Sequence, residues 1–194
     1  LGETTGSFTE AISHLPLVKL VVRGMRLSEC GPLAGMQLQI VCLQSWKESD
    51  FQLSAEAYSS NLHWTRLHLQ LMGSLSLADT AALLHRLVKL ELLTIEIHEV
   101  PTRDEWKDFL GAVRGMPSLK ELLIRGNNGQ PCLPSDKKEV APEFERLPQS
   151  MTTIMFDQCL DRNKACGILK HHLPEQIQCK ESGFKFCDHP TANL

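Results

Sequence analysis

Seven cysteines and eight histidines are the residues of this 194-residue chain best equipped for chemistry. They crowd toward its end, as Cys159, Cys166, His171, His172, Cys179, Cys187 and His189. Structural zinc is usually held by Cys-x(2–4)-Cys knuckles, and no pair of cysteines in this tail has that spacing. The set therefore reads as buried thiols and solvated histidines, with no metal. Cys159-Leu160-Asp161 could present a nucleophilic sulfur, but a reactive thiolate needs a base and an electropositive niche, and the sequence sets neither beside it. G-x-S-x-G is absent, so there is no serine nucleophile elbow. G-x-x-x-x-G-K-[ST] is absent too, so nucleotide binding is not expected. His63 and His68, flanking a strand, and His85, on a helix, read as surface or cap residues. The chain is thus expected to be no enzyme, with no catalytic residue and no cofactor.

With 42% hydrophobic and 22% charged residues the composition is that of a folded globular domain. No apolar run approaches the ~18 residues of a membrane span. The net charge of −3 removes the massed Lys and Arg that phosphate binding requires, so neither nucleic acid nor an anionic membrane is an expected partner. Residues 1–194 make one domain of ordinary size, since domains commonly run about 100 to 200 residues. The cysteines, at 30, 42, 132, 159, 166, 179 and 187, are odd in number and scattered, which suggests mostly reduced thiols in a cytoplasmic protein. A chain that opens on Leu1 suggests a piece of a larger protein.

The elements that must position any site follow a repeat. The pattern apolar-x-x-apolar-x-apolar recurs at Leu17/Leu20/Val22, Leu38/Val41/Leu43, Trp64/Leu67/Leu69, Leu90/Leu93/Ile95, Leu119/Leu122/Ile124 and Met151/Ile154/Phe156, with first anchors 21, 26, 26, 29 and 32 residues apart. Its last two apolar positions alternate with a variable one, as in a strand with one buried face. Between the copies, Leu77 to Val88 and Thr102 to Met116 have helical apolar spacing. The second of these opens on Pro101-Thr102, carries Asp104 and Glu105 in its first turn, and stops at Gly115-Met116-Pro117. Phe8 to Leu15, Glu143 to Leu147 and Cys166 to Leu173 are expected helices that each end in Leu-Pro, where proline biases the preceding residue toward extended backbone. A seventh strand is expected near Ile177 to Lys180. The interval holding Met25 to Met36 is too short for a full helix, and the polar Gly126 to Pro142 is expected to be a mobile loop. Trp64 and Trp106 occupy core positions.

A strand-loop-helix unit of this length resembles the ribonuclease-inhibitor type of leucine-rich repeat. Asn127 and Cys159 match the Asn or Cys that this type places eight residues after the first anchor, while Met25, Trp46, Met72 and His98 depart from it. The segments MPSLKELLIRGN and LVKLELLTIEI are similar to the C-terminal repeats of NOD-like receptors, innate immune sensors of the cytoplasm. The resemblance implies an α/β leucine-rich-repeat solenoid, with parallel strands on a concave face and helices on the convex face, and residues 160–194 as its C-terminal cap. It implies a ligand-sensing or autoinhibitory module that engages a protein ligand or other domains of its own chain. The alternative is the substrate-recognition array of a ubiquitin-ligase adaptor, and a ribonuclease-inhibitor-like enzyme inhibitor is a third reading. The Cys-x-Asp triplet also resembles the catalytic motif of bacterial ubiquitin ligases that carry such repeats, but those use a separate helical domain for which this chain has no room.

If the anchors point inward, alternation sends three lanes of side chains to the other face. The candidate binding residues are Lys19, Arg66 and Glu121 in the first lane, and Val21, His68, Thr94, Leu123 and Met155 in the second. The third lane holds Arg23, Gln44, Gln70, Glu96, Arg125 and Asp157. Basic residues fall in the early strands and acidic ones in the late strands. That polarity predicts a partner of opposite order that associates through electrostatic steering.

Overall fold

The computed structural model describes residues 14–16, 19–26, 40–45, 64–71, 75–126, 131–134, 137–160 and 162–181. Seven strands form one all-parallel sheet whose spatial order is the sequence order. They are β1 (Lys19–Arg26), β2 (Ile40–Ser45), β3 (Arg66–Leu71), β4 (Leu92–Ile97), β5 (Glu121–Gly126), β6 (Thr153–Asp157) and β7 (Gln178–Glu181). Each begins at or within two residues of its expected place. Parallel neighbours need crossover connections, and from β3 onward each crossover contains helix. These helices are α1 (Ala81–Leu84, entered through a 3-10 turn at Ala78–Thr80), α2 (Arg103–Arg114), α3 (Lys137–Val140, continued as 3-10 helix over Ala141–Arg146) and α4 (Arg162–Leu169).

One backbone device recurs at the entries of β4, β5 and β6. Thr65 O accepts from both Glu91 N and Leu92 N, Glu91 O from Lys120 N and Glu121 N, and Lys120 O from Thr152 N and Thr153 N. Thr152 O accepts from Gln178 N in the same position. Just before each strand the chain closes a turn, in which Leu90, Leu119, Met151 and Ile177 donate to the carbonyl three residues back. The first anchor is then buried: Trp64, Leu90, Leu119 and Met151 have no exposed surface. So do the inward residues Leu67, Leu69, Leu93, Ile95, Leu122, Ile124, Ile154 and Phe156, which share one apolar cluster with Trp106, Phe109, Phe144, Ala165 and Leu169 from the helices. Helices and inward side chains thus occupy one side of the sheet.

The 12-residue α2 forms where the sequence indicates, with Thr102 as its cap: Glu105 N donates to the Thr102 hydroxyl over 3.3 Å while the Glu105 carboxylate accepts from Thr102 N. Trp106, Phe109, Leu110 and Val113 fall on its buried face. Four expectations are corrected. The helix expected over Leu77 to Val88 is reduced to a 3-10 turn and the four-residue α1, because its unit has three residues fewer than the next and must return to the sheet sooner. The helix expected from Cys166 starts at Arg162 and ends at Leu169, although a turn bond from Leu173 N to Leu169 O carries the coil to Leu173. The expected helix around Glu143 to Leu147 is 3-10 helix that begins at Ala141. The Gly126 to Pro142 insertion is not all loop: it contains α3, with Val140 and Ala141 wholly buried, and Cys132 and Leu133 are buried too. The helix at Phe8 to Leu15 lies almost wholly outside the described residues, as do the interval 27–39, Trp46, Met72, Asn127, Asp161, and the tail with Phe184, Phe186 and Cys187.

Four cysteines expected as thiols are paired. Cys132–Cys159 and Cys166–Cys179 are disulfides with Cα atoms 5.6 and 5.4 Å apart, within the usual range. The crossover geometry brings residues 27 and 13 positions apart onto adjacent units, a proximity that linear spacing does not express. Trp106 helps to hold the first pair, because its Nε1–H donates to Cys132 O over 3.2 Å.

Candidate functional site

The strand positions that alternate with the inward anchors bring most of the candidate residues into register. Lys19, Ile40, Arg66, Leu92, Glu121, Thr153 and Gln178 stand opposite one another in sequence, and so do Val21, Cys42, His68, Thr94, Leu123, Met155 and Lys180. In the third lane Gln44, Gln70, Glu96, Arg125 and Asp157 align. Arg23 does not join them. The β1–β2 register shifts between Val21 and Arg26, which puts Arg26 opposite Gln44.

The lanes differ in what they can offer a partner. Thr94 and Leu123 have almost no exposed surface, while His68 and Met155 are each 9% exposed. Side chains about 4.8 Å from neighbours on both sides shield one another, so the middle lane supplies shape rather than area. His68, expected as a flanking surface residue, lies within β3 and is buried. In the first lane Arg66 is exposed and Glu121 half-buried, and Lys180 is exposed at the end of the second.

The third lane is a polar network. Gln70 Nε2 donates to Glu96 Oε1 over 3.0 Å. His68 Nε2 stands 3.6 Å from Glu96 Oε2, and His98 Nε2 3.8 Å from Glu96 Oε1. Arg125 Nε donates to Asp157 Oδ2 over 3.1 Å, and Nη2 lies 3.1 Å from the same oxygen. The acidic end expected from sequence is therefore partly engaged within the sheet: Asp157 is paired with Arg125, and Glu96 is approached by an amide and two imidazoles, while Glu121 stays half-buried. His98 was not a candidate, yet it joins the site. The available signal was its place two residues after Glu96, on the same side of an extended chain.

The His68 contact, followed by the charges of His68, Arg125 and His98, holds the Glu96 carboxyl below its ordinary value of 4.5, against the opposing effect of burial. A carboxylate with a depressed folded pKa stabilises the fold at pH above its unfolded value, and that contribution is lost as pH falls through the folded one. The stability difference between wild type and Glu96→Gln should therefore narrow as pH drops below about 4.5. Denaturant unfolding at a series of pH values measures it, and a difference that stays constant to the acid limit of folding would contradict the network.

The other chemistry-bearing residues lie apart from this face. Cys159, Cys166 and Cys179 are in disulfides, so their sulfurs are neither thiolate ligands nor free nucleophiles. Among the described residues no cluster of three His, Cys, Asp or Glu side chains could hold a metal ion. His172 Nδ1 pairs with Glu145 Oε1 over 2.7 Å, and His85 is exposed. No helix among the described residues is long and apolar enough to cross a membrane. The sequence matches no protein-family model and no curated protein.

Proposed function

We propose that the chain is a leucine-rich-repeat solenoid of the ribonuclease-inhibitor type that works as a protein-recognition module. The observation that carries this reading is the recurrence of one unit: the same paired backbone bonds at the entries of β4, β5 and β6, and the same three lanes in register from β3 to β6. A unit of this size cannot bury its apolar side alone, so stacked copies share a core and leave a broad strand-lined surface. Such a surface, with packed apolar residues in the middle and polar ones beside them, has the make-up of a protein interface. Its partner is a protein ligand or another domain of the same chain. The similarity of MPSLKELLIRGN and LVKLELLTIEI to NOD-like-receptor repeats supports a sensing or autoinhibitory role in the cytoplasm. The Cys132–Cys159 and Cys166–Cys179 disulfides run against a cytoplasmic placement, since structural disulfides are rare in a reducing compartment, and thiol labelling of the natively purified chain tests that part of the reading.

Two charge reversals separate the sheet surface from the helices. Arg66→Glu with Glu121→Arg alters the first lane, and Lys107→Glu alters the exposed side of α2. A protein captured by the wild-type chain should lose affinity tenfold or more with the first variant, about 1.4 kcal/mol or greater, and keep it with the second. Loss with Lys107→Glu alone would move the interface to the helical side and overturn the assignment.

A further inference from the structure

Between the 75–77 segment and the loop joining β4 to α2 lies a cleft of about 170 Å³. That is smaller than the roughly 300–1,000 Å³ of small-molecule sites, so it suits one side chain rather than a metabolite. Leu75, Leu77, Ile97, Val100 and Pro101 are its apolar lining residues, and Glu99, which is exposed, and Glu105, which is half-buried, are its acidic ones. No lysine or arginine is among the described lining residues. Arg103, next to the lining residue Thr102, is drawn to Glu139, 3.0 Å away.

The N-terminus of α2 also borders the cleft but does not make it an anion site. The Thr102 hydroxyl and the Glu105 carboxylate already serve each other's amides in a reciprocal cap, which leaves negative charge at the rim. Asp79 is not among the described lining residues and its Oδ2 accepts from the Ser76 amide over 2.7 Å, so Glu99 and Glu105 are the acidic residues of the cleft. Apolar walls below an acidic rim complement a side chain with an aliphatic stem and a cationic head.

We propose that this cleft is a docking pocket for an arginine side chain of a protein partner, with the stem along Leu75 and Pro101 and the guanidinium between Glu99 and Glu105. Arginine fits better than lysine, because its planar fork of donors can serve two carboxylates at once. His98 lines the cleft and also faces Glu96 at 3.8 Å, so the pocket adjoins the polar lane of the sheet. A buried anchor residue beside a polar surface is the arrangement of an interface hot spot. The proposal rests on the protein-recognition reading.

The probe is N-acetyl-arginine amide, titrated into the 15N-labelled chain and followed by amide shifts. Saturable shifts at 75–77 and 97–105 are expected, with a dissociation constant in the millimolar range. The citrulline amide, alike in shape but uncharged, should give none. Glu99→Gln should weaken arginine binding roughly threefold, the size of one solvent-exposed ion pair. Equal shifts from citrulline, or no shifts well above millimolar arginine, would overturn the pocket. Because the probe is not the partner, that failure is separate from failure of the sheet-surface variants.

Discussion

Trp106→Ala is expected to destabilise the fold by about 3 to 5 kcal/mol. The indole has no exposed surface. Its ring centroid lies 5.9 Å from Phe109 in an edge-on arrangement and 5.4 Å from Phe144 in a tilted one. Such pairs add about 0.5 to 1.5 kcal/mol beyond burial. Trp106 is also the one described side chain that links α2, the 3-10 helix after α3 and the Cys132 backbone. Trp106→Phe retains much of the apolar area but removes the hydrogen bond to Cys132 O, a loss of about 0.5 to 1.5 kcal/mol. Equilibrium unfolding followed by circular dichroism ranks the three proteins. A cost below about 0.5 kcal/mol for alanine is what an exposed site gives, and it would mean that α2 is not packed on the sheet.

The sequence speaks clearly where periodicity and burial coincide. Leu90, Leu93 and Ile95 announce β4 because a parallel strand with one covered side needs that alternation, and Thr102 with Glu105 announces α2 because the cap is local chemistry. Features set by chain length or by contacts between units are hidden. Ala78 to Leu84 could have made a longer helix by its own pattern, and only the shorter crossover prevents it. Cys132, Leu133, Val140 and Ala141 sit in a Gly/Pro-rich stretch whose polarity masks four residues that the core takes up.

The candidate surface divides along the same line. The strand pattern places thirteen of the fourteen candidates in their lanes, because register between adjacent parallel strands follows once the inward anchors are known. Arg23 fails because an irregularity between Val21 and Arg26 is not encoded in the spacing of Leu17, Leu20 and Val22. What those lanes do was less legible. Charges counted by strand suggested a basic end and an acidic end, whereas packing joins Arg125 to Asp157 and Glu96 to His68 and Gln70. Pairing across 26 or 32 residues depends on which strands become neighbours.

That pairing sets the second large effect. Asp157→Ala should cost about 3 kcal/mol, the lower end of the range for removing one partner of a buried ion pair. The side chains of Arg125 and Asp157 are only 14% and 9% exposed, so the guanidinium left behind cannot be fully rehydrated. The lower end applies because Glu96 stands opposite Arg125 in the sheet and takes up part of its charge. Replacing both members, Arg125→Met with Asp157→Leu, should cost less than the single change, since no buried charge is then stranded. Urea denaturation of these variants, with Arg125→Met and Asp157→Leu each alone, completes the cycle. If Asp157→Ala falls within about 0.5 kcal/mol of wild type, the pair is effectively solvated and its charges are open to a partner. The expected order of costs instead makes the Arg125–Asp157 pair a clasp within the sheet, which leaves Arg66, Glu121 and Lys180, among the described side chains of these lanes, as charges through which a protein ligand would be steered.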